Sequence, residues 1–176
     1  EIRFSVAYLF RIEVGGQYLL IHSNRFKHFQ PVGGVFKALA AFESLRTDLG
    51  ISWDKKISID AETDRDLRVH VPGIHLKKFV DWYNQGRGRE RGCWREFYQE
   101  LIESGLVDGT HFPYLLFGWV RRHDTGVQYS RFFSCYEYKI AEIFEPQLTP
   151  AQIDALRAAV AMHPDKLRFF SPEDLT

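Results

Sequence analysis

Apolar residues recur at two different spacings along the chain, and each spacing predicts a different kind of element. Where aromatic and β-branched side chains are dense and the segment ends in a glycine-containing turn, the pattern predicts a β hairpin. The predicted hairpins are 2–12 with 17–22, turning at Val14-Gly15-Gly16, and 114–123 with 128–140, turning at Asp124-Thr125-Gly126.

Other segments carry apolar residues three and four positions apart, which is the spacing of one helix face. The predicted helices are 39–50, 74–85, 94–105 and 150–163. Gly50 and Gly105 are suitable C-terminal caps, and Thr149 with Pro150 supplies an N-cap and a first-turn proline. Leu39, Ile74 and Tyr98 are expected on the apolar faces of their helices, and Trp82, Trp94 and Trp119 are expected to be buried.

The order of these elements is hairpin, helices, hairpin, helix, which favours an α+β fold with helices packed on a sheet. The chain has 176 residues and therefore suits one domain, 1–176. Hydrophobic residues make up 45% and aromatic residues 15%, so global disorder is excluded as a description.

The global charge gives no indication of a polyanionic partner, since Lys plus Arg and Asp plus Glu are both 23. An anion site must come from local clustering. The two cysteines, Cys93 and Cys135, form no disulfide framework and no metal-binding spacing, which favours a reducing compartment. The sequence contains no signal peptide and no bilayer-spanning apolar run.

One face of the predicted helix 94–105 is polar. Glu96, Gln99, Glu100 and Glu103 lie opposite its apolar side chains at 100° per residue. The like-charged pair Glu96 and Glu100, four residues apart, is unfavourable on an isolated helix. A divalent cation or neighbouring arginines would offset this repulsion. A solvated polar face without a metal is the alternative.

Cations cluster beside glycines in two places, immediately before Gly33-Gly34 and in the loop that precedes the predicted helix 94–105, and could bind phosphate groups there. The candidate ligand-binding residues are Arg25, Lys27 and Gln30 with the following Gly33 and Gly34, and Arg89, Arg91 and Arg95 beside the predicted helix 94–105. The alternatives are a polar hairpin edge for the first cluster, and loop arginines paired with Glu90 and Glu96 for the second. Tyr129, Arg131, Phe133 and Tyr136 could line a base pocket, although aromatic strand residues are more often core.

The stretch FQPVGG (29–34) and the later REFYQEL (95–101) together resemble the Nudix family, whose signature is GX5EX7REUXEEXGU with U a bulky apolar residue. Gly34 and Arg95 are 61 positions apart, so a long insertion splits the signature. Its first glutamate would fall on Ala40, and its middle metal-binding glutamate is Gln99.

A split signature of this kind resembles the SMODS-associated NUDIX family of bacterial anti-phage (CBASS) signalling. The resemblance implies a Nudix-type α/β/α sandwich around a mixed sheet, with a helical insertion at about 35–90. It also implies a cytoplasmic domain of an inner-membrane protein, joined to a transmembrane segment N-terminal to residue 1. The implied ligand is a cyclic di- or trinucleotide, and its binding is expected to drive homo-oligomerisation.

The same resemblance leaves two functions open. A sensor binds the nucleotide through the candidate residues above and requires no cofactor. A Nudix hydrolase of nucleoside diphosphate derivatives requires Mg²⁺, for which Glu96, Gln99 and Glu100 form a weak or lost site, and Glu100 would be its catalytic base. The depleted carboxylates favour the sensor. An interaction domain that binds only protein is a third alternative.

Overall fold

The computed structural model describes residues 1–23, 27–57, 61 and 63–175, which contain ten β-strands and four α-helices. The strands are β1 (Ile2–Phe10), β2 (Glu13–Val14), β3 (Gln17–His22), β4 (Phe29–Pro31), β5 (Gly33–Val35), β6 (Ser52–Trp53), β7 (Arg68–Val71), β8 (Leu116–Ser130), β9 (Cys135–Gln147) and β10 (Leu167–Phe170). The α-helices are α1 (Phe42–Asp48), α2 (Leu76–Gln85), α3 (Trp94–Phe97) and α4 (Pro150–Met162). A π-helical turn, Tyr98–Glu103, continues α3, and short 3₁₀ turns occupy Gly73–His75, Gly109–His111 and Pro172–Leu175.

The strands form two sheets. In the first, hydrogen-bonded neighbours follow the order β6-β7-β1-β9-β8, and β5 also pairs with β1. The second has the order β10-β3-β2, and β4 also pairs with β3. The pairs β1–β7 and β6–β7 are antiparallel. Contacts Arg3–Glu137 and Phe4–Tyr138 advance in the same direction along β1 and β9, as in a parallel pair. The predicted α+β class with a mixed sheet is therefore confirmed.

By its contacts the chain divides into two compact units. Unit 1 consists of Glu1–Ala7, Val35–Gly92 and Arg122–Ala141, and unit 2 of Tyr8–Gly34, Cys93–Arg121 and Glu142–Thr176. The segment 35–90, expected as an insertion, lies within unit 1.

Unit 1 has an aromatic core beneath α2. The Phe79 ring packs edge-on against Phe4 with centroids 4.8 Å apart, and both side chains are fully buried. Phe42 and Tyr83 are also fully buried and contact the rings of Phe79 and Phe4, respectively. Burial of each such side chain contributes about 1.5–3 kcal/mol, so the spacing of apolar residues in α2 fixes which of its faces meets the sheet.

Unit 2 has its own core, in which helical and strand aromatics meet. Phe97 packs against Phe10 at 5.6 Å and against Phe112 at 5.3 Å between ring centroids. Helix α4 begins as predicted, because the Thr149 hydroxyl accepts from Gln152 N–H and the Gln152 side chain accepts from Thr149 N–H.

The first predicted hairpin is confirmed only in part. The turn at Gly15-Gly16 joins β2 to β3, with Val14 opposite Gln17. Residues 2–10 do not pair with β3 but form β1 of the other sheet. The short connection after Phe10 lets β1 and β2 enter different sheets, a choice that local sequence does not encode.

The second predicted hairpin has the wrong turn. The chain reverses between Ser130 and Cys135, and Asp124-Thr125-Gly126 lies inside β8. The Asp124 carboxylate accepts from Gly126 N–H at 2.9 Å, and Gly126 has a left-handed φ of 60°. The Thr125 hydroxyl accepts from Lys139 N–H at 3.0 Å. The turn-like tripeptide is therefore an irregularity within a paired strand, as in a β-bulge.

The predicted helices exist, but they are shorter than expected. Helix α1 begins at Phe42 and α2 at Leu76, which leaves Leu39 and Ile74 exposed, contrary to expectation. The π-helical turn after α3 changes the spacing of side chains, and Tyr98 is exposed rather than buried. Gly50 and Gly105 are left-handed at the two helix ends, as caps require.

Several aromatic side chains expected in the core are on the surface. Trp119 is exposed, and its indole N–H donates to Glu142 at 2.8 Å. Tyr129 and Tyr136 are exposed too, whereas Trp82 and Trp94 are half-buried. Within the described residues, no helix combines the length and apolar composition needed to cross a bilayer.

Candidate functional site

Two glycines at the start of β5 allow neighbouring groups of unit 2 to lie unusually close to the backbone of this strand. A Cβ at Gly33 would overlap the carbonyl oxygen of Tyr8 in β1. A Cβ at Gly34 would overlap the carboxylate of Glu96 in α3. The glycine pair therefore approaches β1 on one side and an acidic helix on the other, in a space that no side chain could enter.

Glu100 is held against the same pair of glycines. Its Oε2 accepts the backbone N–H of Gly33 at 2.9 Å. Hydrogen bonds to charged groups contribute about 1.5–3 kcal/mol when the group is shielded from water. The π-helical turn that carries Glu100 is fixed by burial of Leu101 and by the bond from Val107 N–H to the Leu101 carbonyl at 2.8 Å.

Arg95 binds three side chains with its guanidinium group. One nitrogen, Nη1, donates to Glu96 Oε1 at 2.6 Å and to Gln99 Oε1 at 2.8 Å. The other, Nη2, donates to the hydroxyl of buried Tyr8 at 3.3 Å. Arg95 thus offsets the repulsion between Glu96 and Glu100 by pairing with the first, while Gly33 satisfies the second.

The donor groups do not fit the family's metal-binding cluster of three glutamates. Glu96 and Glu100 already accept hydrogen bonds, and between them Gln99 supplies a neutral amide oxygen that is bonded to Arg95. Ala40, where the first signature glutamate would fall, belongs to unit 1. Within the part of the chain that the structure describes, no three His, Cys, Asp or Glu side chains are grouped to hold a metal ion.

The first cluster of candidate cations is only partly visible. Arg25 lies outside the described residues. Lys27 is exposed, with a left-handed φ of 53°, and its N–H donates to the Ser23 carbonyl at 3.0 Å. Gln30 lies in β4 opposite Ile21. Of the candidate residues in unit 2, the structure brings together Gly33, Gly34, Arg95, Glu96, Gln99 and Glu100.

The other two candidate arginines belong to unit 1. The Arg89 guanidinium lies 4.0 Å from the centroid of the Tyr83 ring and donates to the Tyr83 carbonyl at 2.9 Å. Its Nη1 also donates to the Glu90 carbonyl at 2.8 Å. The Arg91 side chain lies beside Gly86. Through these contacts, Arg89 stabilises the conformation of its loop.

Sequence reasoning missed a buried charge cluster in unit 1. Arg3 donates to Asp54 at 2.7 Å and to Glu137 at 3.3 Å, and His70 lies 3.3 Å from Asp54. Burial favours the neutral acid, but the Lys56 N–H and the Arg3 guanidinium outweigh it and leave the pKa of Asp54 below its ordinary value. Asp54 also lines a pocket of about 80 Å³ with Trp53, Ile57, Thr63, Asp64, Arg65, Asp66 and Arg68. Only long-range strand pairing assembles these residues, so local sequence carried no signal.

Comparison with known proteins agrees with this architecture. The whole chain, residues 1–176, matches the model of the SMODS-associated NUDIX domain. Among the curated proteins and the solved structures, none shows significant similarity to it. The mixed α+β structure is consistent with a Nudix-type fold. Since the match covers every residue, the chain belongs to the SMODS-associated NUDIX domain family.

Proposed function

We propose that this domain is a sensor that binds a cyclic di- or trinucleotide messenger and regulates an anti-phage (CBASS) membrane effector. Family membership supports the nucleotide-related role. The observation that carries the choice of sensing over hydrolysis is the arrangement around Arg95, where Gln99 replaces a metal-binding carboxylate and is bonded to that arginine.

Hydrolysis requires more functional groups at this site than sensing does. A magnesium-dependent reaction needs several hard oxygen ligands and a carboxylate free to accept a proton. Here Glu96 is paired with Arg95 and Glu100 accepts the Gly33 N–H. Binding a phosphate requires only cations and N–H donors, so in this proposal sensing proceeds without a cofactor.

The proposed ligand-binding residues of unit 2 are Arg25, Lys27, Gln30, Gly33, Gly34 and Arg95, and those of unit 1 are Arg89 and Arg91. A phosphate at Gly33 would compete with Glu100 for the same N–H. Neutralising Glu100 should therefore leave nucleotide binding intact or strengthen it. A hydrolase with Glu100 as its base would instead lose turnover completely.

The effector role completes the proposal. The domain would lie on the cytoplasmic side of the inner membrane, joined to a membrane segment N-terminal to residue 1. Ligand binding would drive homo-oligomerisation and so pass the signal to that segment. Sedimentation with and without ligand tests this step independently of affinity.

The first experiment is a thermal-shift screen against cyclic di- and trinucleotides of all four ribonucleobases, with chromatography of each mixture afterwards. A ligand at 100 Kd stabilises the folded state by about 2.7 kcal/mol, and each kcal/mol raises Tm by about 2–4 °C for 150–250 residues. A shift with intact ligand supports sensing. Magnesium-dependent cleavage that Glu100→Gln abolishes would establish the hydrolase instead, and no binding at all would favour a protein-only interaction domain.

A further inference from the structure

The end of the β8–β9 hairpin exposes aromatic side chains that a core would normally bury. Phe132 is 84% exposed, and Tyr129 and Tyr136 are each 57% exposed. The two tyrosine rings contact each other nearly at right angles, with centroids 5.5 Å apart. We name Tyr129, Arg131, Phe132 and Tyr136 the hairpin-end patch. Large exposed apolar groups that cluster in this way mark binding surfaces more often than isolated ones do.

The turn that carries the patch is fixed from beneath. The Phe133 ring lies under the Arg3 guanidinium, 3.9 Å from its centre, and the Phe133 carbonyl accepts from Lys56 Nζ. The backbone N–H of Phe133 donates to the Ser130 hydroxyl at 3.3 Å. Because Phe133 is held by Arg3 and Lys56, its neighbour Phe132 is directed outward. The aromatic surface is therefore preorganised rather than a loose chain end.

The charges around the patch favour an anionic partner. Within the described residues, the side chain of Arg131 has no ion-pair or hydrogen-bond partner, and it is exposed. The nearby carboxylate of Glu137 is 4% exposed and is neutralised by Arg3 at 3.3 Å and Lys139 at 3.1 Å. An unpaired arginine beside exposed rings is a combination that binds nucleotides, since rings stack on bases and guanidinium groups pair with phosphates.

We propose that the hairpin-end patch is the base-recognition platform of this domain, with Tyr129 and Tyr136 stacking on a nucleobase and Arg131 pairing with a phosphate. This proposal rests on the proposed nucleotide-sensing function and adds to it a surface separate from Gly33 and Gly34. Stacking tolerates any base, because every base has a π face. The patch would thus provide affinity, and base identity would be read elsewhere.

The test uses the whole chain and the same panel of cyclic di- and trinucleotides, with Kd measured by calorimetry for each member that shifts Tm. Tyr129→Ala with Tyr136→Ala should weaken binding by about tenfold or more, since loss of one stacking contact weakens binding by about 5- to 150-fold. Adding Arg131→Ala to this variant should weaken nucleotide binding further and make the affinity less dependent on salt concentration. The matched control is Tyr114→Ala, which removes an equally exposed tyrosine (56%) from unit 2.

The outcomes separate the two proposals. Wild-type affinity in the tyrosine variant, with its Tm unchanged, would overturn the platform and leave nucleotide sensing intact. Should no panel member bind the wild type, both proposals fail. A last experiment measures sedimentation with phosphatidylglycerol vesicles. If Phe132→Ser abolishes vesicle binding and leaves nucleotide affinity unaffected, the patch binds a membrane, and its role in base recognition is overturned. If the double variant unfolds, Arg131→Glu tests the same surface without removing a ring.

Discussion

Two charge clusters in this molecule have similar composition and very different surroundings. In unit 1, Arg3 pairs with Asp54 and Glu137, and all three side chains are at most 4% exposed. In unit 2, Arg95 pairs with Glu96, and their side chains are 25% and 16% exposed. The buried cluster has every charge neutralised by the protein itself. The second borders glycines and partly faces solvent, so its groups can exchange partners.

The difference teaches that charge pairing alone does not identify a functional site. Removing one member of a buried pair leaves an unpaired charge in a medium that solvates it poorly. Removing one member of a partly exposed pair lets water take its place. Stability should therefore depend on the first cluster, and ligand binding on the second. Substitutions in each cluster test this contrast, from the largest expected effect to the smallest.

Arg3→Met should have the largest effect on stability. It leaves Asp54 and Glu137 buried without their cation, which costs about 3–5 kcal/mol in comparable pairs. Urea unfolding at pH 7 measures the loss. The control is Arg11→Met, whose pair with Glu145 is 42% and 41% exposed and should contribute about 0–1 kcal/mol. Equal losses in the two variants would contradict the contrast.

Acid should destabilise the buried cluster in a way that depends on Asp54. Its pKa is lowered in the folded state, although burial acts in the opposite direction, because the Lys56 N–H and Arg3 stabilise its anion. The stabilisation is present above the unfolded pKa of about 3.9 and is lost as pH falls through the folded value. Unfolding free energies from pH 7 to 3 should fall less steeply in Asp54→Asn. Asp154→Asn, at an exposed site, should leave the slope unchanged.

Gly34→Ala should disturb the start of β5 and the neighbouring Glu96. The added methyl group overlaps the Glu96 carboxylate, so Glu96 must leave Arg95 at a cost of about 1–3 kcal/mol, the usual range for overpacking. Thermal unfolding measures the change. Gly118→Ala is the matched control, since nothing lies within 4 Å of its added Cβ. An unchanged Tm in Gly34→Ala would mean that Glu96 moves freely.

Arg95→Lys should have the smallest effect on stability and a clear effect on binding. Lysine keeps the charge but cannot bridge Glu96, Gln99 and Tyr8 as the planar guanidinium does. Since the pair is partly exposed and lysine keeps the charge, we expect the free energy of unfolding to fall by about 1 kcal/mol. Nucleotide affinity measured by calorimetry should fall nonetheless. Tyr8→Phe removes the hydroxyl that accepts from Arg95 at 3.3 Å and keeps the guanidinium group, so it separates loss of that hydrogen bond from loss of the guanidinium group.

Much of the fold follows from short-range sequence signals. Thr149, Pro150 and Gln152 specify the start of α4 through contacts three residues apart. Gly15-Gly16 specifies a turn because few other residues adopt its left-handed backbone. Asp124-Thr125-Gly126 carried an equally strong turn signal and was misleading, since its hydrogen bonds form inside a strand that β9 holds in place. A local conformation can serve two topologies, and long-range pairing selects between them.

The candidate site divides in the same way. The sequence by itself placed Glu96, Gln99 and Glu100 on one helical turn beside Arg95, because helix geometry relates residues three and four apart. Only the tertiary structure decided that Glu100 accepts from Gly33 and that Glu96 fills the space over Gly34. It also decided that Tyr129 and Tyr136 face solvent while Arg3 is buried. The sequence alone determines which side-chain groups are present. Their burial and their long-range partners are determined only when distant strands pair and exclude water.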